Sequence, residues 1–243
     1  MRVFAVFALM FFCMSPVLPA AENNSAAEIF LKLVRSRSAS QNSFADLAGT
    51  VTHLKRNQGG AKFYPVRFLI RFGKEKVQAK LFLNNKEEHY FEKLHNAAAG
   101  KSSANVKDGG LLNKLGFRIG DLTMDFLSYP VVAEEAPESY KTLKCRKLVL
   151  RSPENKLVRV WIASEYLFPM RAEFFGKAAA GVLNCKPERI LEITGFEKVN
   201  EYYVATDIAL YSNDFRSRIA FKQCTADKSD SPQAIKAFSE KSL

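Results

Sequence analysis

His89, Glu92 and His95 are the one place where this sequence sets two imidazoles and a carboxylate close together. A spacing of three lines up ligands on a helix, but a strand scatters them over two faces. The surrounding residues alternate, so the three read as exposed strand positions and no metal site is expected. No His-Glu-x-x-His and no Gly-x-Ser-x-Gly occurs, which removes the common zinc-protease and serine-hydrolase arrangements. Ser102 and Ser103 sit in a loop-like stretch where no base could be held against them. Gly59-Gly60 and Gly109-Gly110 are turn pairs, and no phosphate-binding glycine loop is present. Asp121 and Asp125 share a helical face, where capping accounts for Asp121 and solvent for Asp125. No catalytic residue, metal or cofactor is expected, and the chain does not read as an enzyme.

The elements that would position a site are one helix and then strands. Ser25-Ala26-Ala27-Glu28 has the form of a capping box, and Ile29, Phe30, Leu33 and Val34 follow at helical spacing. A helix is predicted over about 26–37. From Phe44 the period becomes two. Strands are predicted at 44–55, 66–72, 77–83, 88–94, 140–151, 157–163, 170–175, 188–199, 202–212 and 216–222. About ten strands with one apolar face each describe a large antiparallel sheet curled around its apolar side. The fold class is therefore mainly β with a few helices.

The stretch 95–139 interrupts this pattern. It is rich in Ala, Gly, Ser and Lys to Gly110, then carries Leu122, Met124, Phe126 and Leu127 behind Asp121, a candidate N-cap, until Tyr129-Pro130 stops the helix. A segment of that length without strands reads as a lid or binding loop. The inward face of the sheet is expected to be Phe68, Ile70, Leu81, Leu83, Val158, Val160, Ile162, Met170, Phe174, Ile193, Val204, Ile208, Ile219 and Phe221. These alternate with Arg67, Arg71, Lys80, Arg159, Arg171, Glu173, Glu192 and Arg218. The apolar face is either filled as an ordinary core or left partly open as a cavity under the lid. So few helical residues to cover so wide a face favours the cavity.

Residues 1–21 form a secretory signal: Arg2, an apolar run from Val3 to Met14, Pro16 and Pro19, then Ala20 and Ala21. Cleavage is expected after Ala20 or Ala21. The apolar run is short for a bilayer span, so the mature chain is expected to be exported and periplasmic. The domain occupies 22–224, and 225–243 is a polar, loosely attached tail. Cys145, Cys185 and Cys224 remain after processing, an odd number in an oxidising compartment, and their pairing stays open. With 36 Lys+Arg against 25 Asp+Glu the formal charge is +11. The basic residues on strand polar faces, among them Lys55, Arg56, Lys62, Arg67 and Lys80, either guard against edge-to-edge pairing or form a docking surface for an anionic membrane or an acidic protein. Nucleic acid is not expected as a partner, since the chain is exported and carries no recognition motif.

The run from Val158 to Phe175, VRVWIASEYLFPMRAEFF, resembles the outer-membrane lipoprotein-sorting (LolA-like) family, in which a strand ending near an aromatic residue is followed by an acidic turn, a Pro and a strand with Arg and Glu. Gly195-Phe196 through Leu210, and Arg216–Phe221, are similar to that family's last strands. Gly120-Asp121-Leu122 is similar to the start of its internal helix. The resemblance spans about 115–222. It implies a half-barrel closed by helices, whose cavity carries acyl chains of lipids or lipoproteins under the lid Leu122, Met124, Phe126 and Leu127. The alternative on the same scaffold is a periplasmic sensor or adaptor whose lipid occupancy regulates a partner protein. A hydrolase with an unrecognised site is a third reading.

Overall fold

A computed structural model of the chain describes residues 20–95, 101, 103–105, 110–177 and 182–239. The signal-like segment before Ala20 lies outside the described residues. Helix α1 (Ala20–Ser40) comes first, followed by strands β1 (Ser43–Lys55), β2 (Lys62–Phe72), β3 (Lys76–Leu83), β4 (Glu87–Leu94) and the short β5 (Ser103–Asn105). Helices α2 (Leu111–Lys114) and α3 (Ile119–Leu122) and a 3-10 turn at Asp125–Ser128 come next. Strands β6 (Val131–Tyr140), β7 (Leu143–Arg151), β8 (Lys156–Ala163), β9 (Phe168–Lys177), β10 (Arg189–Val199), β11 (Tyr202–Ser212) and β12 (Phe215–Lys228) then run consecutively, and helix α4 (Pro232–Ser239) follows.

The strands form one twelve-stranded sheet in the order β5-β4-β3-β2-β1-β12-β11-β10-β9-β8-β7-β6. Every recorded pairing is antiparallel. Two meanders are thus zipped together where β1 meets β12, and the sheet stays open, with β5 and β6 as its edges. This order places the lid. The chain leaves the sheet at one edge and must re-enter it at the other, so the segment between β5 and β6 crosses the open side. Gly49 sits at a bulge between β1 and β12. A Cβ there would lie 2.1 Å from the Ala220 carbonyl oxygen, so only glycine lets the two backbones approach this closely.

Inward residues of both meanders, α1 and the lid share one apolar cluster, which includes Leu31, Leu47, Phe68, Leu81, Phe117, Val160 and Ile219. Register within each strand is fixed by this burial, since a slip of one residue would turn the whole apolar set outward.

Several expectations are corrected. Helix α1 runs back to Ala20, so Ser25 is not its cap; Glu28 instead accepts the Val131 N–H at 2.7 Å. Ala27, Phe30, Leu31 and Val34 form its buried stripe, whereas Ile29 and Leu33 are exposed. The predicted strand 140–151 is β7 alone, because the chain turns at Lys141 with positive φ. The stretch 95–139 contains β5 and β6. The described part of the expected loose tail, as far as Ser239, is the end of β12 plus α4, whose Ala234, Ala237 and Phe238 pack on Phe44 and Leu69 on the outer face of β1–β3. Lys80 lies under this helix, buried, with its ammonium 5.8 Å from the Phe238 ring centre. It therefore belongs to no exposed basic surface. Arg67 remains half exposed but is paired bidentately with Asp46.

Met170 is also corrected. Trp161 pairs with Arg171 and Ile162 with Pro169, so Met170 is the extra residue of a bulge. A bulge breaks the two-residue period. Met170 accordingly packs with Cys145, Trp161 and Ala163 in a cluster separate from the main core. Cys145, Cys185 and Cys224 form no disulfide. Burial pushes the Cys145 and Cys224 thiols up.

Candidate functional site: a lidded apolar cavity

Between the sheet and the lid lies a cavity of about 240 Å³. Phe68 and Ile70 on β2, Val204 and Ile208 on β11, and Phe221 on β12 form its floor, and Leu122, Met124 and Leu127 approach from the lid. These floor residues meet because β1, β2, β11 and β12 are neighbours at the join of the two meanders. Phe68 and Phe221 stack with ring centres 6.3 Å apart. The other expected inward positions do not line the cavity. Leu81, Leu83, Val158, Val160, Ile162 and Ile219 are fully packed in the main core. Phe174 packs against Phe126, with ring centres 5.8 Å apart at right angles. Ile193 is buried outside that cluster. Both earlier alternatives therefore hold in different places: the face is filled under β7–β9 and open at the join.

The lid is held from three sides. Arg35 of α1 donates from Nε to the Leu127 carbonyl at 2.6 Å and from Nη2 to the Tyr129 carbonyl at 2.9 Å. Burial lowers the Arg35 pKa, against the opposing field of Glu28. Lys93 of β4 pairs with Asp125 at 2.5 Å and donates to Ser128 Oγ at 2.6 Å. Arg189 of β10 pairs with Asp121 at 2.7 Å and also donates to the Gly116 carbonyl at 3.0 Å. Its guanidinium lies 4.3 Å from the Phe174 ring centre. Asp121 is not the cap of α3 but its third residue, with its carboxylate accepting the Arg118 N–H at 2.8 Å. Asp125 is mostly buried beside Lys93, so solvent does not account for it. Burial, then the fields of Asp125 and Asp121, push the Tyr129 hydroxyl up to about 12.

Two buried histidines secure the ends of α2. His89, only 1% exposed, faces inward and lies 3.3 Å through Nε2 from the Glu87 carboxylate. That carboxylate accepts the Leu111 N–H at 2.8 Å. Burial raises the Glu87 pKa, but the Leu111 N–H, His89 and the Leu112 N–H together outweigh it and hold the carboxyl below its ordinary value. At the other end, Ser217 Oγ donates to the Leu115 carbonyl at 2.6 Å and lies 2.8 Å from His53 Nδ1. Ser217 is fully buried and its proton is committed to a carbonyl, so this Ser–His pair is a brace and not a nucleophile with its base. Gly116 follows with φ of 84°, and a Cβ there would lie 2.2 Å from the Phe215 ring. His95 is exposed, with Nε2 2.8 Å from the Gly73 carbonyl, and Glu92 is bonded to Tyr90, Gln78 and Lys76. The strand thus separates the three residues that could have met on a helix. Among the described residues no group of three or more His, Cys, Asp or Glu could hold a metal ion.

The brace at His53 has a signed consequence. Burial, then Lys55 and Lys62, lower its pKa below the ordinary 6.5. The native state resists the proton that the unfolded chain accepts, so this stabilisation is complete above 6.5 and is lost as pH falls toward the native value. Urea unfolding at about pH 7.5 and about pH 5.5 should show a larger acid loss for the wild type than for His53→Gln. Equal losses would show that His53 does not couple the fold to pH.

No family model matches the chain, and no curated protein matches it in sequence. Solved structures do match it. One is a domain from Vibrio parahaemolyticus named for outer membrane lipoprotein sorting, with 10% identity, a TM-score of 0.61, and coverage of 90% of this chain and 98% of that one. A second is a DUF1329 family protein from Desulfovibrio piger, with 11% identity, a TM-score of 0.59, and coverage of 91% and 98%. A third is a LolA superfamily protein from Nitrosomonas europaea, with 13% identity, a TM-score of 0.53, and coverage of 84% and 96%. At such low identity the likeness concerns architecture: the chain has the LolA-like fold, a curved, open antiparallel sheet covered by helices.

Proposed function

We propose that this protein is an exported, non-enzymatic periplasmic carrier that binds acyl chains of lipids or lipoproteins in the cavity beneath the lid. The observation that carries this reading is the apolar cavity at the join of the two meanders, covered on one side by a segment that leaves the sheet at one edge and re-enters it at the other. Moving an acyl chain through water exposes each methylene at roughly 0.8 kcal/mol, so a chain of about 16 carbons would cost on the order of 12 kcal/mol without shelter. A cavity offsets that cost, and a lid held by separable polar contacts can admit and release the chain. The likeness to a domain named for outer membrane lipoprotein sorting supports the same reading.

Mass spectrometry of organic extracts from the purified protein, paired with displacement of a fluorescent fatty-acid probe, tests it. Co-purifying lipid and displaceable probe are the expected results. A folded protein that releases no lipid and binds no probe would leave a structural or adaptor domain in place of a carrier. Intact mass of the exported form should begin at Ala21 or Glu22, and a chain beginning at Cys13 with added acyl mass would make it membrane-anchored instead.

A further inference from the structure

We propose that the outer face of the sheet, at the end where β1 finishes, carries a basic groove that docks an acidic, extended segment of a partner protein. This goes beyond acyl binding and stands whether or not the cavity holds a lipid. Strand register builds the groove. Across β10, β11, β12 and β1, Ile190 pairs with Tyr211, Tyr211 with Arg216, and Arg216 with Leu54. Their strand neighbours Leu191, Leu210, Ser217 and His53 are buried on the inner face, so this row points outward. Arg56, just past β1, and Lys186, just before β10, complete the lining. Phe63, opposite Thr52 on β2, stands diagonally from Leu54 on the same face. Phe63 is 67% exposed and Leu54 43%. The contact of α4 with Phe44 lies at the opposite end of β1, so both side chains are left to solvent.

Charge decides what fits. Arg56, Lys186 and Arg216 line the groove, and Lys55 lines an adjoining depression that shares Arg56 and Asn213 with it. Among the described residues none of these four cations makes a salt bridge. The groove's own carboxylate, Glu192, is taken by Arg171 at 2.6 Å. Glu188 turns toward Gly176 on β9. Of the carboxylates lining the two depressions, only Asp214 remains to face the four cations. The guanidiniums are held without being neutralised. Arg216 lies 5.0 Å from the Tyr211 ring centre and donates to its hydroxyl at 3.4 Å, and Arg56 donates to the Asn213 carbonyl at 3.3 Å. Their remaining N–H groups suit the planar fork of a carboxylate. Cations on edge strands guard against unwanted pairing, but β1, β10, β11 and β12 are interior strands, so that role does not explain these. A bilayer is the rival occupant. The exposed residues that line the cavity, Gln41, Leu94, His95 and Tyr203, lie at the end of the sheet where β1 begins, opposite to the groove. A membrane seated on the groove would face away from the cavity mouth, whereas a protein partner can grip this end and leave the mouth free. A concave strip that interleaves apolar and cationic side chains fits an acidic segment with apolar anchors.

The test is fluorescence anisotropy of the purified protein with a panel of labelled, glutamate-rich peptides, each carrying one phenylalanine and one leucine at varied spacing. At least one spacing should bind, and its affinity should fall about tenfold when the phenylalanine and leucine become serine. Binding should weaken as salt rises from about 0.05 M to about 0.5 M. Arg216→Gln should weaken that peptide about tenfold, and Arg56→Gln combined with Arg216→Gln about a hundredfold. Matching urea midpoints, expected of exposed side chains, show that the variants keep the fold. Lys74→Gln removes an exposed cation at the other end of the sheet and should leave the affinity unchanged. Equal losses for Lys74→Gln and Arg216→Gln would reduce the effect to overall charge and overturn the proposal. Equal binding of peptides with lysine in place of glutamate, or no binding by any peptide, would overturn it too. Co-sedimentation with phosphatidylglycerol vesicles, or a concentration-dependent dimer, either one lost in Arg216→Gln, would assign the groove to a membrane or a second copy instead.

Discussion

Asp121→Ala is expected to destabilise the protein by about 3–5 kcal/mol, the cost of leaving a buried charge without its partner. Asp121 is 5% exposed, and its carboxylate receives Arg189 from two nitrogens and the Arg118 N–H besides. Alanine would leave the Arg189 guanidinium enclosed against Phe174 with one carbonyl for company. A charge in such surroundings either drags water in or opens the lid, and both routes lower stability. Replacing both partners by apolar residues should behave differently, because it removes the stranded charge. Asp121→Leu combined with Arg189→Met should recover most of the loss, as apolar replacements of buried ion pairs often do. Urea titrations read both numbers, with the midpoint shifting and the slope unchanged if only stability is altered. A loss under about 1 kcal/mol for Asp121→Ala would place the pair with weak surface bridges and deny it a part in holding the lid.

This pair also marks what one sequence can reveal. Most strands of both meanders were legible from a two-residue apolar period: Val66, Phe68, Ile70 and Phe72 keep it on β2, and Leu69, which stands among them, is apolar because it packs under α4. Strand β6 was missed for the opposite reason. It is an edge strand reading VVAEEAPESY, with no buried position, three glutamates and a proline, the composition by which edges avoid pairing with other chains. The signal for α4 was present and went unread: Ser231 precedes Pro232, and Ala234, Ala237 and Phe238 follow at helical spacing. The Ser231 hydroxyl accepts the Ala234 N–H at 3.3 Å, as a cap should.

Site residues were legible in part. Alternation could place Phe68, Ile70, Val204, Ile208 and Phe221 on the inner face, but it could not separate them from Val160 or Leu83, which lie on the same face under solid packing. That distinction depends on which strands adjoin the β1–β12 junction, a long-range fact. The latches were out of reach for the same reason. Lys93 and Asp125 are 32 positions apart, and Arg189 and Asp121 are 68, so no local spacing announces either. His89 was misread as exposed because a lone histidine in an alternating run shows no sign of which face it occupies.

Ala45→Phe is expected to weaken binding of a fluorescent fatty-acid probe on the order of 100-fold, since a phenyl ring takes the place of about four methylenes of the chain. Ala45 lies on β1 opposite Ile70 and Ala226 and lines the cavity with both. A new ring in an unfilled apolar hole gains packing contacts that the hole lacks. The same substitution should therefore raise stability by about 0.5–2 kcal/mol, the range seen when cavities are filled. The opposite signs are the diagnostic. In a tightly packed core, added carbons would force neighbours aside and cost about 1–3 kcal/mol, as Val160→Phe should do beneath β7–β9, where the interior is closed. A protein that keeps Ala45 small at the price of stability is reserving space for a guest. Greater stability together with lost probe binding would identify that space as the binding site. Lower stability with binding intact would show that the interior closes there in solution and that the chain binds elsewhere.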